Sequence, residues 1–293
     1  MIPFYPAIVN VEEIIYNYVI LLELKRNLSS ETICATMYRN GVSVMYNDLK
    51  EAIEKSSRIV FFGGAGVSTE SGVPDFRSEN GLYQTISEYG IPPEEIISRT
   101  FFRKDPNTFY KYYKENLMYP NAKPNAAHFA LAKLEDSGKL FAVVTQNVDG
   151  LHEKAGSKNV IHVHGSALKN YCVDCRIDYS EDYIINPVKN SDHIPLCEKC
   201  NGIVRPDVVL YEESLDPNVI SSAVDAIAKA DMLIVGGTAL VVYPAAGFIN
   251  YFKGNPLALI NKSATAYDNR ADIIINDSIG KVLGTVVEQA KLT

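Results

Sequence analysis

Residues 59–68 read Ile59-Val60-Phe61-Phe62-Gly63-Gly64-Ala65-Gly66-Val67-Ser68, four apolar side chains running straight into a glycine-rich turn. A short unbroken apolar run closed by glycine reads as a parallel strand buried on both faces. Where Cβ atoms are missing after such a strand, backbone N–H groups can approach a pyrophosphate at a helix N-terminus, so the stretch predicts a dinucleotide-type turn. It departs from the usual G-x-G-x-x-G spacing, because Thr69 takes the third glycine position. Nor does a second strand ending in an acidic residue follow about 20 residues later.

Outward from this stretch, apolar runs recur at 141–144, 160–163, 232–235, 257–260 and 273–275, with helical patterns between them at 125–135 and 219–229. Strand and helix in alternation predict an α/β fold with a doubly wound, Rossmann-like parallel sheet. Two stretches interrupt the alternation: 78–124, which is helical and Tyr-rich, and 166–205, which carries paired cysteines. The predicted organisation has a Rossmann-like domain from 46–77, 125–165 and 206–293, and a smaller lobe from the helical insertion 78–124 and the metal module 166–205. Residues 1–45 form an N-terminal extension, with helices expected at about 11–26 and 30–39 and a third at 46–56. Asn40-Gly41 suits an αL cap on the middle one. The Gly41-Val42-Ser43 turn invites a helix-turn-helix reading. Up to Arg58, however, six basic residues face seven acidic ones, a net of −1 that is wrong for a phosphate-binding module.

The whole chain of 293 residues carries 28 basic and 35 acidic side chains, a net charge of −7, which argues against broad nucleic-acid binding. With 47% hydrophobic and 22% charged residues it is an ordinary globular composition. No apolar run near the N-terminus approaches the roughly 20 residues that span a bilayer, and no basic segment precedes one, so the expected location is the cytoplasm.

Polar groups gather at the predicted strand ends. Gly236-Gly237-Thr238 follows the run at 232–235, and Asn261 follows 257–260. In an open α/β sheet that edge holds the ligand, and two glycine turns plus an amide suited to ribose hydroxyls favour a dinucleotide. The strand at 141–144 ends in Thr145-Gln146-Asn147-Val148-Asp149-Gly150, and the next ends in His162-Val163-His164-Gly165. Strand alternation would place both imidazoles on one face, with His164 at the tip as a base near neutral pH and His162 as a candidate core residue. Cys172, Cys175, Cys197 and Cys200 make C-x2-C-x21-C-x2-C, two knuckles able to present four thiolates to zinc. Four thiolates leave no open position, so the site is expected to be structural, with His193 a surplus ligand and Cys34 a lone thiol.

The run Gly64-Ala65-Gly66-Val67-Ser68-Thr69-Glu70-Ser71-Gly72-Val73-Pro74-Asp75-Phe76-Arg77, the 145–152 stretch, His164-Gly165, the cysteine pairs, Arg205-Pro206-Asp207-Val208-Val209 and the 237–246 stretch together resemble the sirtuins, NAD-dependent protein lysine deacylases. The resemblance runs from about residue 46 to the C-terminus. It implies that Gly64, Ala65, Gly66, Gly237, Thr238 and Asn261 surround the phosphates and ribose of NAD. Asp75, Phe76 and Arg77 would lie on the nicotinamide side, with Phe76 shielding the reacting ribose carbon. Gln146, Asn147 and Asp149 would hold the nicotinamide ribose, the attacking geometry and the carboxamide. His164 and Asn147 would be catalytic, His164 as general base on the ribose hydroxyls while the acyl oxygen attacks and nicotinamide leaves. Products would be free lysine, nicotinamide and an O-acyl-ADP-ribose. An acyl-lysine peptide would lie along Val208, Val209, Leu210 and Tyr211.

Three positions depart from that family's pattern: Gly63 replaces a common Thr, Ala239 a common Ser, and Glu212 a usual Gly. Family members that prefer succinyl groups resemble one another in a Tyr-x-x-Arg pair in the helical lobe. None occurs at 84–125, where the nearest match by position is Tyr113-Lys114-Glu115-Asn116, so neutral acyl groups are the expected substrates. Protein ADP-ribosyl transfer on the same fold is the alternative activity, and an NAD-dependent oxidoreductase would share the glycine turns but not the 146–149 cluster.

Overall fold

In the computed structural model, which describes residues 46–76 and 81–292, the apolar runs become one parallel sheet. Its strands are β1 Ile59–Gly63, β2 Leu140–Thr145, β3 Val160–His162, β9 Met232–Gly236, β10 Leu257–Ile260 and β11 Ile273–Ile275. They lie in the order β11-β10-β9-β1-β2-β3, and every pairing is parallel. The chain builds outward from β1 through β2 to β3, then returns to lay β9 on the other side of β1. The strand order therefore reverses between β1 and β9, and the carboxyl ends of both strands meet there, where such sheets open a ligand crevice.

Burial explains the choice of residues. All five residues of β1 and of β9 are buried, as an internal parallel strand covered on both faces requires. On one face Val60 and Phe62 pack with Leu233, Val235, Ile227 and Phe248. Ile227 comes from helix α9 (Pro217–Ala228) and Phe248 from the 3₁₀ segment Ala245–Tyr251. Burying each large side chain of this kind contributes about 1.5–3 kcal/mol. Helix α9 starts where Asp216 caps the Asn218 N–H and Pro217 supplies a preset φ. Helix α6 (Ala126–Asp136) starts on a capping box: the Asn125 side chain accepts from Ala127 N, while His128 Nδ1 accepts from Asn125 N. It packs against α10 (Ile279–Gln289).

The smaller lobe contains helices α2 to α5 (Ile86–Tyr89, Pro93–Ile96, Arg99–Lys104, Pro106–Asn116) and an antiparallel sheet in the order β5-β4-β8. Here β4 is Gly165–Cys172, β5 Asp178–Ser180 and β8 Val204–Val208; β6 (Asn190–Ser191) and β7 (Ile194–Pro195) form a small hairpin beside helix α8 (Glu181–Ile185). The two insertions share one core, in which Phe102, Phe109, Tyr110 and Tyr113 pack with Cys172, Cys197, Val204 and Leu210. Edge-to-face ring pairs such as Phe109–Tyr110, 5.2 Å between centroids, account for the aromatic bias of the helical insertion.

Helix α1 (Asn47–Lys55) occupies the third expected N-terminal helix, and α7 is the single turn Leu151–Lys154. The helices expected at 11–26 and 30–39, the Asn40-Gly41 cap, the turn at 41–43 and Cys34 lie outside the described residues, as does Arg77. Residues Asp48–Thr293 form one compact unit.

One helix expectation is corrected. After β1 no α-helix begins; the chain makes two 3₁₀ turns, Ala65–Val67 and Thr69–Ser71, and leaves them at Gly72 with φ 81°. The left-handed residue and the following Val73-Pro74 prevent a regular helix from propagating. The Thr69 hydroxyl, at the missing third glycine, donates to Gly66 O at 3.0 Å and closes the first turn.

Beneath the site lies a pair of buried imidazoles, His128 of α6 and His152 of α7, with ring centroids 4.7 Å apart and Phe61 against His152. Neither nitrogen of His152, nor Nε2 of His128, has a hydrogen-bond partner. Burial pushes His128 down to about 4 and His152 well below the ordinary 6.5. Both rings are neutral when folded and take up protons on unfolding below pH 6.5. Their contribution to stability is therefore complete above that pH and is lost as pH falls toward 4. At pH 5 the cost is about 2 kcal/mol for His128 alone, a sizeable fraction of the 5–15 kcal/mol typical of a domain, and His152 acts in the same direction. The urea midpoint should fall markedly between pH 7.5 and 5.0, and His152→Gln should flatten that dependence; equal midpoints at the two pH values in the wild type would contradict it.

Candidate active site

The switch point brings the two glycine turns into contact. Gly64 N donates to Gly236 O at 3.3 Å and Gly66 N to Gly237 O at 2.8 Å. No side chain fits between them: a Cβ on Gly66 would lie 2.8 Å from Gly237 Cα, and one on Gly237, whose φ is +59°, 2.4 Å from Val67 N. The missing Cβ atoms here serve a close approach of the two turns to each other. Beside it, Thr238 N donates to Asn261 Oδ1 at 3.0 Å and Asn261 Nδ2 returns to Thr238 O at 2.5 Å, locking the β9 and β10 turns together. Gln146 Nε2 reaches across to Thr238 Oγ1 at 3.1 Å. Gly64, Ala65, Gly66, Gln146, Gly237, Thr238 and Asn261 thus gather around the carboxyl ends of β1, β2, β9 and β10.

A second network runs from the end of β2. Asn147, 9% exposed, donates through Nδ2 to Ser68 Oγ at 3.1 Å; Ser68 Oγ donates to Asp149 Oδ2 at 2.6 Å; Asp149 Oδ1 accepts from Leu151 N at 2.9 Å. Ser68 joins the first 3₁₀ turn to both predicted polar residues. It was not among the residues singled out, although it stands inside the glycine-rich stretch, and its 1% exposure shows it to be internal. The turn is held from behind by Asn125 Nδ2, which donates to Val67 O and Ser71 Oγ at 2.8 and 2.9 Å.

The expectation that strand alternation sets His162 and His164 on one face is corrected. Strand β3 ends at His162, and Val163-His164 form a turn into β4, so alternation does not extend to His164. His162 Nε2 pairs with Glu153. His164 Nδ1 lies 3.0 Å from Gln146 O. A carbonyl only accepts, so Nδ1 carries the proton and Nε2 is the basic nitrogen. Burial pushes His164 below the ordinary histidine value, against the opposing pull of the Gln146 bond, so the ring is neutral at pH 7. Gly165 follows at φ +78°, where a Cβ would lie 2.1 Å from Asp207 O.

That close approach leads to residues 208–211. Val208 ends β8, an edge strand of its sheet; Val209 N donates to His164 O at 2.9 Å; Leu210 is buried. Tyr211 exchanges bonds with the helical lobe, its N–H donating to Ile97 O and its carbonyl accepting from Arg99 N. Glu212, where the sequence departs from the family's Gly, adopts φ +71°, and its carboxylate accepts from Thr100 N and Oγ1 at 3.0 and 2.6 Å. Local bonds therefore hold a side chain where glycine would sit without strain. Phe76 is half-buried against the small-lobe core; the Asp75 and Phe76 carbonyls accept from Leu82 N and Tyr83 N.

In the cysteine module the four sulfurs of Cys172, Cys175, Cys197 and Cys200 lie within 4.8 Å of one another. Cys172–Cys200 and Cys175–Cys197 are 3.4 and 3.5 Å apart. Tetrahedral Zn–S bonds of about 2.3 Å set sulfurs about 3.8 Å apart, so the donor set fits zinc. The Tyr179 phenol donates to Cys197 Sγ at 3.1 Å, which holds that thiol down at about 6. His193 stands apart in the β6–β7 turn, its carbonyl accepting from Lys114 Nζ and its N–H donating to Asn107.

A model of the Sir2 family matches residues 64–244. The chain is 61% identical over 241 residues to an NAD-dependent protein deacetylase of Clostridium acetobutylicum, covering 82% of this chain and 97% of that one. It is 62% identical to the NAD-dependent protein deacetylase of Clostridium perfringens, covering 83% and 98%. Among solved structures, a Sir2 variant with deacetylated p53 peptide and 3′-O-acetyl ADP ribose superposes with a TM-score of 0.76 at 36% identity, over 83% of this chain and 98% of the other. A Sir2–p53 peptide–NAD+ complex gives 0.74 at 37% identity, over 83% and 98%.

Proposed function

The chain belongs to the Sir2 family, and from that premise we propose that it is an NAD-dependent protein lysine deacetylase releasing nicotinamide and O-acyl-ADP-ribose. The observation that carries the reading is His164, neutral and tied through Nδ1 to Gln146 O, at the end of the sheet where the two glycine turns touch. The relatives at 61% and 62% identity carry the deacetylase name over almost their full length. NAD supplies the electrophilic ribose carbon.

In this reading Gly64, Ala65, Gly66 and Gly237 line the phosphate site, where the missing Cβ atoms let a pyrophosphate approach the main chain, and Thr238 and Asn261 meet a ribose. Asp75, Phe76 and Arg77 serve the nicotinamide side. Asn147 and Asp149 are oriented before substrate arrives, because Ser68 joins them. His164 Nε2 takes a proton from a ribose hydroxyl. The rest of the chemistry is positioning and electrostatic stabilisation of a cation-like sugar centre. The acyl-lysine peptide lies along Val208–Tyr211, continuing from an edge strand able to accept an added strand. The four cysteines hold a structural zinc, whose thiolates suit a reducing compartment such as the cytoplasm. No helix among the described residues is long and apolar enough to cross a membrane.

Neutral acyl groups suit the helical lobe. Tyr113 is sealed in its core, with its phenol buried and unpartnered, and the Asn116 amide donates to Tyr112 O. Neither offers a cation to a succinyl carboxylate, and burying that charge unpaired costs several kcal/mol. The kcat/KM for an acetyl peptide should exceed that for the matched succinyl peptide by about tenfold or more; an advantage for succinyl would overturn this preference.

Mass spectrometry of products from an acetyl-lysine peptide and NAD tests the reaction. Free lysine peptide, nicotinamide and O-acetyl-ADP-ribose are expected. ADP-ribose left on a protein acceptor would indicate the transferase alternative, and a reduced nicotinamide would indicate an oxidoreductase.

A further inference from the structure

We propose that Arg205 and Glu213 form a positioning pair that fixes the peptide-binding segment against His164. The proposal rests on reading residues 208–211 as the acyl-peptide site. The guanidinium meets the carboxylate as a fork, Nη1 to Oε1 at 2.8 Å and Nη2 to Oε2 at 3.0 Å. The same two groups grip the main chain between them: Nη2 donates to Val208 O at 2.8 Å, and Leu210 N donates to Glu213 Oε2 at 2.9 Å. Val209, the residue between these grips, donates its N–H to His164 O. A planar fork is the arrangement that lysine cannot reproduce, and it adds geometric specificity to the charge attraction.

The surroundings favour a tight pair. The two side chains are 12% and 20% exposed, and the guanidinium lies 5.5 and 5.8 Å from the Phe102 and Tyr171 rings. Burial raises the Glu213 carboxyl, but the bonds from Arg205 and Leu210 outweigh it and leave the group ionised below the usual carboxylate range. The pair spans eight residues and occupies a carbonyl and an N–H that an irregular segment would otherwise leave to water. The segment is therefore built before the peptide arrives, which removes an ordering cost from peptide binding and not from NAD binding. None of the cofactor-turn residues touches either side chain through a hydrogen bond among the described residues.

Glu213→Gln and Arg205→Lys test this with steady-state kinetics on an acetyl-lysine peptide, after wild-type turnover has been established; an inactive wild type would count against the functional reading and not against the pair. Each variant should raise the peptide KM about tenfold while the NAD KM stays within about twofold, the loss expected for one charge-assisted fork. The double variant should be little worse than the more damaged single, since both act on one interaction. Zinc content and ADP-ribose binding report folding. Peptide KM unchanged in folded variants, or both KM values rising together, would overturn the proposal. So would loss of zinc and ADP-ribose binding in both single variants, since the pair would then hold the fold as a whole.

Discussion

His164→Ala should abolish deacetylation, lowering kcat by about 10²–10⁴, the range a general base supplies. Binding of ADP-ribose should persist. The imidazole's hydrogen bond goes to Gln146 O, whereas the contacts that shape the glycine turns run between Gly64, Gly66, Gly236 and Gly237. Those backbone groups do not depend on the ring, so the variant separates proton transfer from cofactor seating. The pH profile adds a second reading. The base must be unprotonated, and burial holds His164 below its ordinary 6.5, so wild-type kcat/KM should stay high to below pH 6.5 and fall only on further acidification. A variant retaining near wild-type kcat would remove His164 from its role.

Most of the fold was legible because parallel strands announce themselves as apolar runs. The boundaries expected at 257–260 and 273–275 coincide with β10 and β11; β2 also begins one residue earlier, at Leu140, while β1, β2 and β9 end one residue further on, at Gly63, Thr145 and Gly236. A hydrophobic pattern cannot see those last residues, since their backbone pairing continues after their side chains cease to be large and apolar. The polar cluster at 146–149 and the tetrad of cysteines were likewise visible as residue types at set spacings.

What the sequence concealed depends on contacts between distant segments. Gly72 and Pro74 stop a long helix locally, but the 3₁₀ turns themselves are held by distant partners, Asn125 and the Asn147–Ser68–Asp149 chain, and Glu70 accepts from Gly280 N at 2.7 Å. The strand signal at 160–163 ran one residue past β3, and that residue decided how His164 is oriented. At Glu212, where the family carries Gly, the backbone is left-handed at φ +71°, a conformation that the residue type alone does not announce.

Cys172→Ser should unfold the smaller lobe, because its zinc site is continuous with its hydrophobic core. Cys172 and Cys197 are fully buried and pack in the same cluster as Phe102, Phe109, Tyr110 and Val204. The tetrad also ties together three short pieces with little regular structure of their own: the end of β4, the turn that follows it, and the 197–200 knuckle. Four-thiolate zinc binding is worth about 10–16 kcal/mol in small isolated modules, which makes metal binding and folding one event. Losing one ligand should remove several kcal/mol and lower the melting temperature by about 10 °C or more. Because residues 208–211 bond to both His164 and the helical lobe, deacetylation should be lost along with the fold of that lobe. Metal analysis should give one zinc per chain in the wild type, and a chelator should inactivate in step with the loss of near-ultraviolet circular dichroism from the Tyr-rich core. A fully active protein holding less than about half an equivalent of zinc would contradict the closed four-thiolate site.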